Sequence, residues 1–544
     1  MTLSPVPEDP RDLGLPFDAW RKGQRETVQA VCEWYVDPHS TKFLFLEAPT
    51  GTGKSLLAGA VIAHLKACGE SVRGLISTVS KSLQTQYADG TLPMANIAWG
   101  RGNHDCLVLP PGSDPSDAPC TYGFKCDVRD RCTYYVERDR AAIGDMAVLN
   151  TAFLLTCLRF VEPSYALAEQ IPVDPYFSAP HKLFDGASLY IHDEAHLLEG
   201  AIRNSVEMKL YHSFFADAGF PLPRVADYGV WGDWLEEALP EVQAMADAYK
   251  REAQRAARQG QQPEGMALEK RAVGYASQLA MLAYTLLPMH PHIDLSMNQF
   301  ISIRPIWGAP FAEQSLWRAA KKHILMSATI IHPNYLAQSL GIAAEDYKYV
   351  SLPSPFPISG RRVIDVAQQR ITGKTTRDQF ARLVEQMDEI IASRPEDKGI
   401  VHAVSYQRAK DVVALSSQRG RMITHGNGRG EKEAAIAAFI HAGPGTIFVS
   451  PSVGIGEDFG KDDGCRMQFM VKYPIPSIGD PIVQARMEDV PQCIYFEADM
   501  AFVQAVGRGM RTPSDYCDTY VLDSGARSRY GWLPQWFKEA IIRR

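Results

Sequence analysis

Long apolar runs are missing from this chain. The longest near-apolar stretch, "LLAGAVIAHL", is about half of the roughly 20 residues that a membrane span requires, so no spanning helix is expected. The first residues, "MTLSPVPEDPRDLG", have neither a basic start nor an apolar core, and no secretory signal is expected. Positive charge is not in excess either: 56 Lys and Arg stand against 63 Asp and Glu, a net −7. That balance makes no case for nucleic acid and excludes none, because a binding groove needs only a local positive field. The chain is expected to be cytoplasmic, where disulfides are uncommon, and it has only ten cysteines. No internal repeat or low-complexity tail is visible. What is present is ordinary for a globular protein, 46% hydrophobic and 22% charged. A length of 544 residues is too great for one core, and about three to four domains are expected.

The clearest chemistry begins at Phe43, where an apolar strand, "FLFLEA", runs into a Gly-rich turn and then an apolar helix. The turn is Ala48-Pro49-Thr50-Gly51-Thr52-Gly53-Lys54-Ser55. It departs from the general P-loop pattern only in starting with Ala48 in place of glycine. Thr50, Gly51, Thr52 and Gly53 would wrap phosphates with backbone N–H groups at a helix start. Lys54 would reach the β- and γ-phosphates and Ser55 would hold Mg²⁺. A chance Gly-rich turn is the bland alternative, and Gly-Lys-Ser in a strand–loop–helix context speaks against it.

A second strand, Leu189 to Ile191, delivers Asp193-Glu194-Ala195-His196. Ligands of open α/β sheets sit at the carboxyl ends of strands. Asp193 suits Mg²⁺ there, Glu194 suits orienting and deprotonating water, and His196 is placed to sense the γ-phosphate. A solvated helix start would be the alternative for these four residues alone. The third segment is "FVQAVGRGMRTPSDY". On a helix, Gln504, Arg508 and Arg511 share one face, and an arginine there can stabilise transition-state charge. A basic solvated face is the commoner fate of such arginines.

"EAPTGTGKS", "DEAH", "LMSATI" (Ser327, Ala328, Thr329) and "QAVGRGMR" occur in the order of superfamily 2 helicase motifs. The chain resembles the XPD/DinG (Rad3-like) family from Arg21 to about Asp523. The resemblance implies an α/β protein with two RecA-like P-loop domains and ATP between them. It places Arg21 and Gln24 on the adenine side and Ser77 to Tyr87 along the nucleic-acid backbone. Ser405-Tyr406 corresponds to motif IV and "SPSVGIGEDFGKDDG", with Asp458 at the nucleotide, to motif V. There are departures: Ile455 stands before Gly456, and Asp515-Tyr516-Cys517 follows motif VI where relatives often carry Asp-x-Gly.

The family also implies a [4Fe–4S] cluster in the segment between motif Ia and the DEAH sequence. Cys106, Cys120, Cys126 and Cys132 fall there and are expected as its ligands. Zinc takes four thiolates too, but its sites usually pair cysteines two to four residues apart; here five residues separate Cys120 from Cys126 and Cys126 from Cys132, and thirteen separate Cys106 from Cys120. A disulfide, or four unconnected thiols, are the remaining readings.

The expected division is residues 1–95 and 140–200 for the first RecA-like domain, 96–139 for the iron–sulfur domain, 201–314 for a helical Arch-like insertion, and 315–544 for the second RecA-like domain. Val242, Met245, Ala246 and Tyr249, then Tyr275, Leu279, Leu282 and Leu286, recur at helical spacing on either side of the turn signal "RQGQQPEG", which predicts an αα-hairpin. The charged run "KREAQRAAR" would either line a hole for single-stranded DNA or face solvent. The function implied is an ATP-dependent 5′→3′ DNA helicase, monomeric, acting on single-stranded, duplex or forked DNA and on R-loops, with the cluster domain as wedge. The alternatives are an ATPase that remodels protein–nucleic-acid complexes without separating strands, and a metal-binding interaction protein with a decayed ATPase.

Overall fold

The computed structural model describes residues 3–115, 118, 120, 126–158, 184–258, 266–428, 430–451, 465–510 and 515–543. Its strands in chain order are β1 (Phe43–Glu47), β2 (Gly74–Thr78), β3 (Asn96–Ala98), β4 (Met146–Asn150), β5 (Ala187–Asp193), β6 (Met208–Tyr211), β7 (His292–Asp294), β8 (Phe300–Arg304), β9 (Ala320–Ser327), β10 (Tyr347–Ser351), β11 (Val363–Gln369), β12 (Gly399–His402), β13 (Met422–Thr424), β14 (Ile447–Ser450), β15 (Met467–Met470), β16 (Asp518–Asp523) and β17 (Ile541–Arg543).

Two of the three sheets are seven-stranded and parallel. The first runs β10-β1-β9-β5-β2-β4-β3 and the second β13-β14-β12-β15-β16-β11-β17. Parallel strands need crossover elements on both faces, so their own sequences read as continuous apolar runs. That is why "GIVH", "IFVS" and "MQFM" are buried at every position. The helix Lys54–Ala67 after β1 is apolar almost all round and is correspondingly buried, with Leu57, Ala60, Val61, Ile62 and Leu65 inside. In the second unit the helix Arg377–Ala392 starts at a capping box, in which Thr376 and Gln379 satisfy each other's backbone N–H groups.

The expected border at residue 315 does not coincide with the change of sheet. β9 and β10 both pair with β1, so residues up to Ser351 belong to the first sheet. An apolar run such as "HILMS" has no mark of which sheet it joins; that is set by its neighbours in space. The helical insertion also differs from expectation, because its two ends pair as strands. β6 and β7 flank β8 in an antiparallel sheet. Above that root stands the αα-hairpin, Tyr228–Arg258 against Ala267–Met281. Trp231, Val242 and Ala246 share its apolar core with Ala272, Leu279 and Leu282. Ala253 and Ala256 face inward, so Arg251 and Arg255 of the charged run stand in solvent.

The iron–sulfur expectation is overturned. Among the described residues no three His, Cys, Asp or Glu side chains converge as metal ligands. Cys106, Cys120, Cys126 and Cys132 are partly exposed free thiols. The polar and aromatic groups around them bind one another. Cys120 Sγ accepts a hydrogen bond from Arg101 Nη1 at 3.0 Å. Arg101 also lies 4.4 Å from the Tyr134 ring, and Arg129 and Arg138 flank Tyr135 at 4.1 and 4.7 Å. Cation–π packing of three arginines on two tyrosines thus ties together the described residues on either side of the cysteines, and the assignment of these cysteines to a [4Fe–4S] cluster, or to any other metal site, is withdrawn. Among the described residues no helix is long and apolar enough to cross a membrane.

Candidate nucleotide site at the sheet interface

The P-loop leaves β1 and wraps back over its own start. Gly51 and Gly53 take φ of +84° and +77°, a region other residues enter at a cost. Thr52 Oγ1 donates to Pro49 O at 2.8 Å, closing the turn. From outside, Gln24 Nε2 donates to Thr52 O at 2.6 Å and Arg21 Nη1 donates to Gly51 O. Arg21 and Gln24 therefore hold the loop's carbonyls. With those carbonyls turned outward, the N–H groups of the helix start at Lys54 are left for an anion.

Asp193 and Glu194 stand at the carboxyl end of β5, beside the P-loop. Lys54 Nζ is 3.9 Å from Glu194 Oε1, and both side chains are largely buried. Glu194 has φ +55°, a strained conformation for a non-glycine residue and one that clusters at functional sites. Tyr87, fully buried, donates from its phenol to Asp193 Oδ2 at 3.0 Å, and the Ser55 hydroxyl is near enough to act on the same phenol. Tyr87 thus gathers the two residues expected at Mg²⁺. A hydroxyl beside a carboxylate is a hard-oxygen donor set that suits this ion.

The two neighbouring carboxyls are pushed apart. Burial, then Glu194, raise Asp193 to about 6 against the pull of Lys54. Burial also acts to raise Glu194, but Lys54, His196 and Arg508 together hold it below its ordinary value. Burial lowers His196 to about 4, with Lys54 and Arg508 helping and Glu194 opposing, so its imidazole is neutral at pH 7. Glu194 Oε2 and His196 Nε2 are buried with no hydrogen-bond partner among the described residues. Unsatisfied buried polar atoms are costly, and here two of them lie beside the P-loop lysine.

From His196 Nδ1, beside Glu194, a hydrogen-bonded chain crosses to the second sheet. His196 Nδ1 lies 3.5 Å from Glu194 Oε2 and 2.7 Å from Ser327 Oγ. Ser327 Oγ is 3.4 Å from Thr329 Oγ1 and accepts from Thr329 N at 3.1 Å. Gln504 Nε2, on the helix Cys493–Val506, donates to Thr329 Oγ1 at 2.7 Å. The helix ends at Val506, and Arg508 follows on the 3-10 turn Gly507–Gly509. Gln504 and Arg508 therefore do not share one α-helical face. Arg508 is nevertheless close enough for its charge to act on Glu194 and His196. Gly507 permits the approach, since a Cβ there would sit 2.9 Å from Thr50 Oγ1 of the P-loop. Arg511 and Asp458, with Glu457, lie outside the described residues.

Two contributors, Phe356 and Glu47, had no role in the sequence reading, and a third, Tyr87, was expected along the nucleic-acid backbone but is buried on Asp193. Phe356 lies on the P-loop, so close that a Cβ at Gly51 would meet its Cζ at 2.2 Å. Glu47, fully buried at the end of β1, accepts from Tyr349 at 2.8 Å and, across the interface, from Trp536 Nε1 at 2.9 Å. Of the first two, only Glu47 left a signal, a lone carboxylate closing an apolar strand. The segments expected as motifs Ia and IV each start a helix after a strand. Ser80 caps the short helix Lys81–Gln86 after β2. Ser405 caps the helix Tyr406–Leu415 after β12, preceded by Val404 at φ +65°.

The family described as the helicase C-terminal domain matches residues 387–540. None of the curated proteins compared matches the chain. Among solved structures, an XPD helicase superposes with a TM-score of 0.61 at 16% identity, over 96% of this chain and 99% of that one. Xpd4 of S. tokodaii gives 0.57 at 13% identity, covering 96% and 100%. An apo XPD gives 0.53 at 14%, covering 96% and 99%. The fold is thus similar to that of these XPD structures, with two parallel-sheet α/β units.

Proposed function

We propose that the chain is an ATP-driven motor on single-stranded nucleic acid. The chain of side chains from Glu194 through His196, Ser327 and Thr329 to Gln504 carries this reading. It joins the P-loop side of the cleft to the second sheet, as a device that turns hydrolysis into domain movement requires. In this reading Lys54 holds the β- and γ-phosphates and Glu194, kept ionised, orients the attacking water. Neutral His196 reports the γ-phosphate to Ser327, and Arg508 faces the developing charge. Ser55 and Asp193 would hold Mg²⁺, which screens phosphate charge when bound. Arg21 and Gln24 support the loop on the adenine side. Arg511 and Asp458 are carried as part of the same site.

The finer reading, by resemblance to the XPD/DinG family, is a 5′→3′ DNA helicase that works as a monomer on duplex or forked DNA and R-loops. Binding would rest on phosphate contacts and base stacking at the segments after β2 and β12, and so be sequence-tolerant and salt-sensitive. A second reading is a translocating ATPase that strips or remodels protein–nucleic-acid complexes without separating strands. It is favoured by one observation, the lack of converging metal ligands among the described residues, which removes the rigid wedge expected of that segment.

The test is ATP hydrolysis with and without single-stranded DNA, beside displacement of a labelled strand from 5′- and 3′-tailed duplexes. Stimulated hydrolysis with displacement from the 5′-tailed substrate supports the helicase. Stimulated hydrolysis with neither duplex opened supports the remodelling ATPase. A chain that hydrolyses no ATP refutes both.

A further inference from the structure

We propose that Arg486 is a positioning residue that ties the insertion to the nucleotide cleft, so that nucleic acid held against the insertion is felt at the hydrolysis site. The inference rests on the ATPase reading above. Arg486 lies on the helix Pro481–Asp489, which precedes the Gln504-bearing helix in the second unit. Its side chain is 7% exposed. The guanidinium ion-pairs through Nη2 with Glu199 Oε1. Its Nε donates to Ile306 O at 3.0 Å and its Nη1 to Glu497 Oε1 at 2.7 Å. Its plane lies 4.4 Å from the Trp307 ring.

These contacts are not randomly placed. Glu199 is where the chain enters the insertion, and Ile306 and Trp307 are where it leaves. Glu199 Oε1 also accepts from Gly308 N at 3.0 Å, fastening entry to exit. Glu199 follows Glu194 by little more than one helical turn. Glu497 precedes Gln504 by two turns of one continuous helix and also accepts from Tyr335 at 2.8 Å. One buried cation therefore binds the root of the insertion, the segment after the DEAH residues, and the helix that completes the relay. A guanidinium serves all three because its fork presents donors in several fixed directions, which an ammonium does not. Without it, two carboxylates face each other across the interface. Movement of the insertion against the second unit must either break this set of bonds or drag the Gln504 helix with it.

The test measures ATP hydrolysis by the full chain with and without oligo-dT, for the wild type, R486M, R486K and E497Q. R486M matches the length of the side chain and removes charge and fork. The expected result is basal kcat within about twofold of wild type, with stimulation by oligo-dT reduced about fivefold or more, the lower range of a typical coupling between sites. R486K restores charge without the fork and recovers only part of the stimulation. E497Q leaves the Arg486–Glu199 pair intact, removes the charge that Arg486 Nη1 meets on the Gln504 helix, and leaves an amide oxygen to accept from Tyr335; it too should lose stimulation, and it serves if R486M does not fold. Wild-type stimulation in either R486M or E497Q would overturn the coupling. So would basal and stimulated rates falling by one common factor, the mark of simple structural support. A wild type without hydrolysis would refute the ATPase reading, and this inference with it.

Discussion

Replacing Thr329 by valine removes one hydroxyl and almost nothing else. The side chain is 1% exposed, and a methyl takes the place of the oxygen without a cavity. What is lost is the acceptor for Gln504 Nε2 at 2.7 Å and the contact to Ser327 Oγ at 3.4 Å. A neutral hydrogen bond is worth about 0.5–1.5 kcal/mol net, and leaving a buried donor unpaired about 1–3 kcal/mol. Gln504 is only half-buried, so water takes back part of the second cost and the lower range applies. If the bond is made in full only when the cleft closes for hydrolysis, that range becomes a kcat about 2- to 13-fold lower, with KM for ATP changed little. The assay is steady-state ATP hydrolysis at saturating single-stranded DNA for T329V, Q504L and the double variant. Groups that share one bond are not additive, so the double variant should lose little more than the worse single. A double loss equal to the product of the two single losses would refute the relay.

Lys54→Ala should abolish hydrolysis while leaving the thermal midpoint near that of the wild type; normal turnover would remove the proposed mechanism. Gly51→Ala puts a Cβ 2.2 Å from Phe356 Cζ at φ +84°, so the chain should lose about 1 kcal/mol or more and bind ATP more weakly. Adding Phe356→Leu should return part of both, and no recovery would show that the aromatic ring does not press on the loop. Asp499 is fully buried against Arg529 at 2.6 Å, His332 at 2.8 Å and Tyr473 at 2.7 Å. Burial acts to raise its carboxyl, but these partners hold it below the ordinary value. Its stabilisation is therefore present above the unfolded pKa of about 3.9 and lost as pH falls through the lower folded value. Asp499→Asn should cost about 3–5 kcal/mol at pH 7 and flatten the fall in stability below about pH 4, measured by urea unfolding across pH.

The shape of the P-loop was legible because it is local. Strand, turn and helix occupy consecutive residues from Phe43 to Ala67, and their spacing alone fixes where Lys54 and Ser55 point. The strands "GIVH", "IFVS" and "MQFM" of the second sheet are apolar runs for a related reason, since burial on both faces leaves no polar alternation. The αα-hairpin announced itself by period. What could not be read was pairing at a distance. "HILMS" and "YKYVS" join the first sheet because β1 offers two free edges, a fact that no window of their own sequence contains. Arg486 sits in "PIVQARMED", a segment of unexceptional polarity, and its importance comes from Glu199 and Trp307, which the chain brings from far away. The four cysteines taught the reverse lesson. Their clustering in sequence was plain, yet the side chains around them are organised by arginine–tyrosine packing instead.

The place of β9 sets the order in which this molecule can be assembled. His323 pairs beside Phe43 on one side and beside Tyr190 on the other, in the middle of a sheet whose remaining inner strands are made much earlier. While the chain emerges from the ribosome, β1 and β5 cannot meet, and the sheet stays parted along the line where Lys54 and Glu194 will later face each other. The αα-hairpin, built from neighbours, can form before that gap closes. Pairings so distant along the chain are slow to find, and unpaired apolar strands invite association meanwhile. The P-loop and the carboxyl end of β5 are consequently brought together among the last steps in making the first unit, and a nascent chain arrested before residue 320 should be open to protease at β1 and β5.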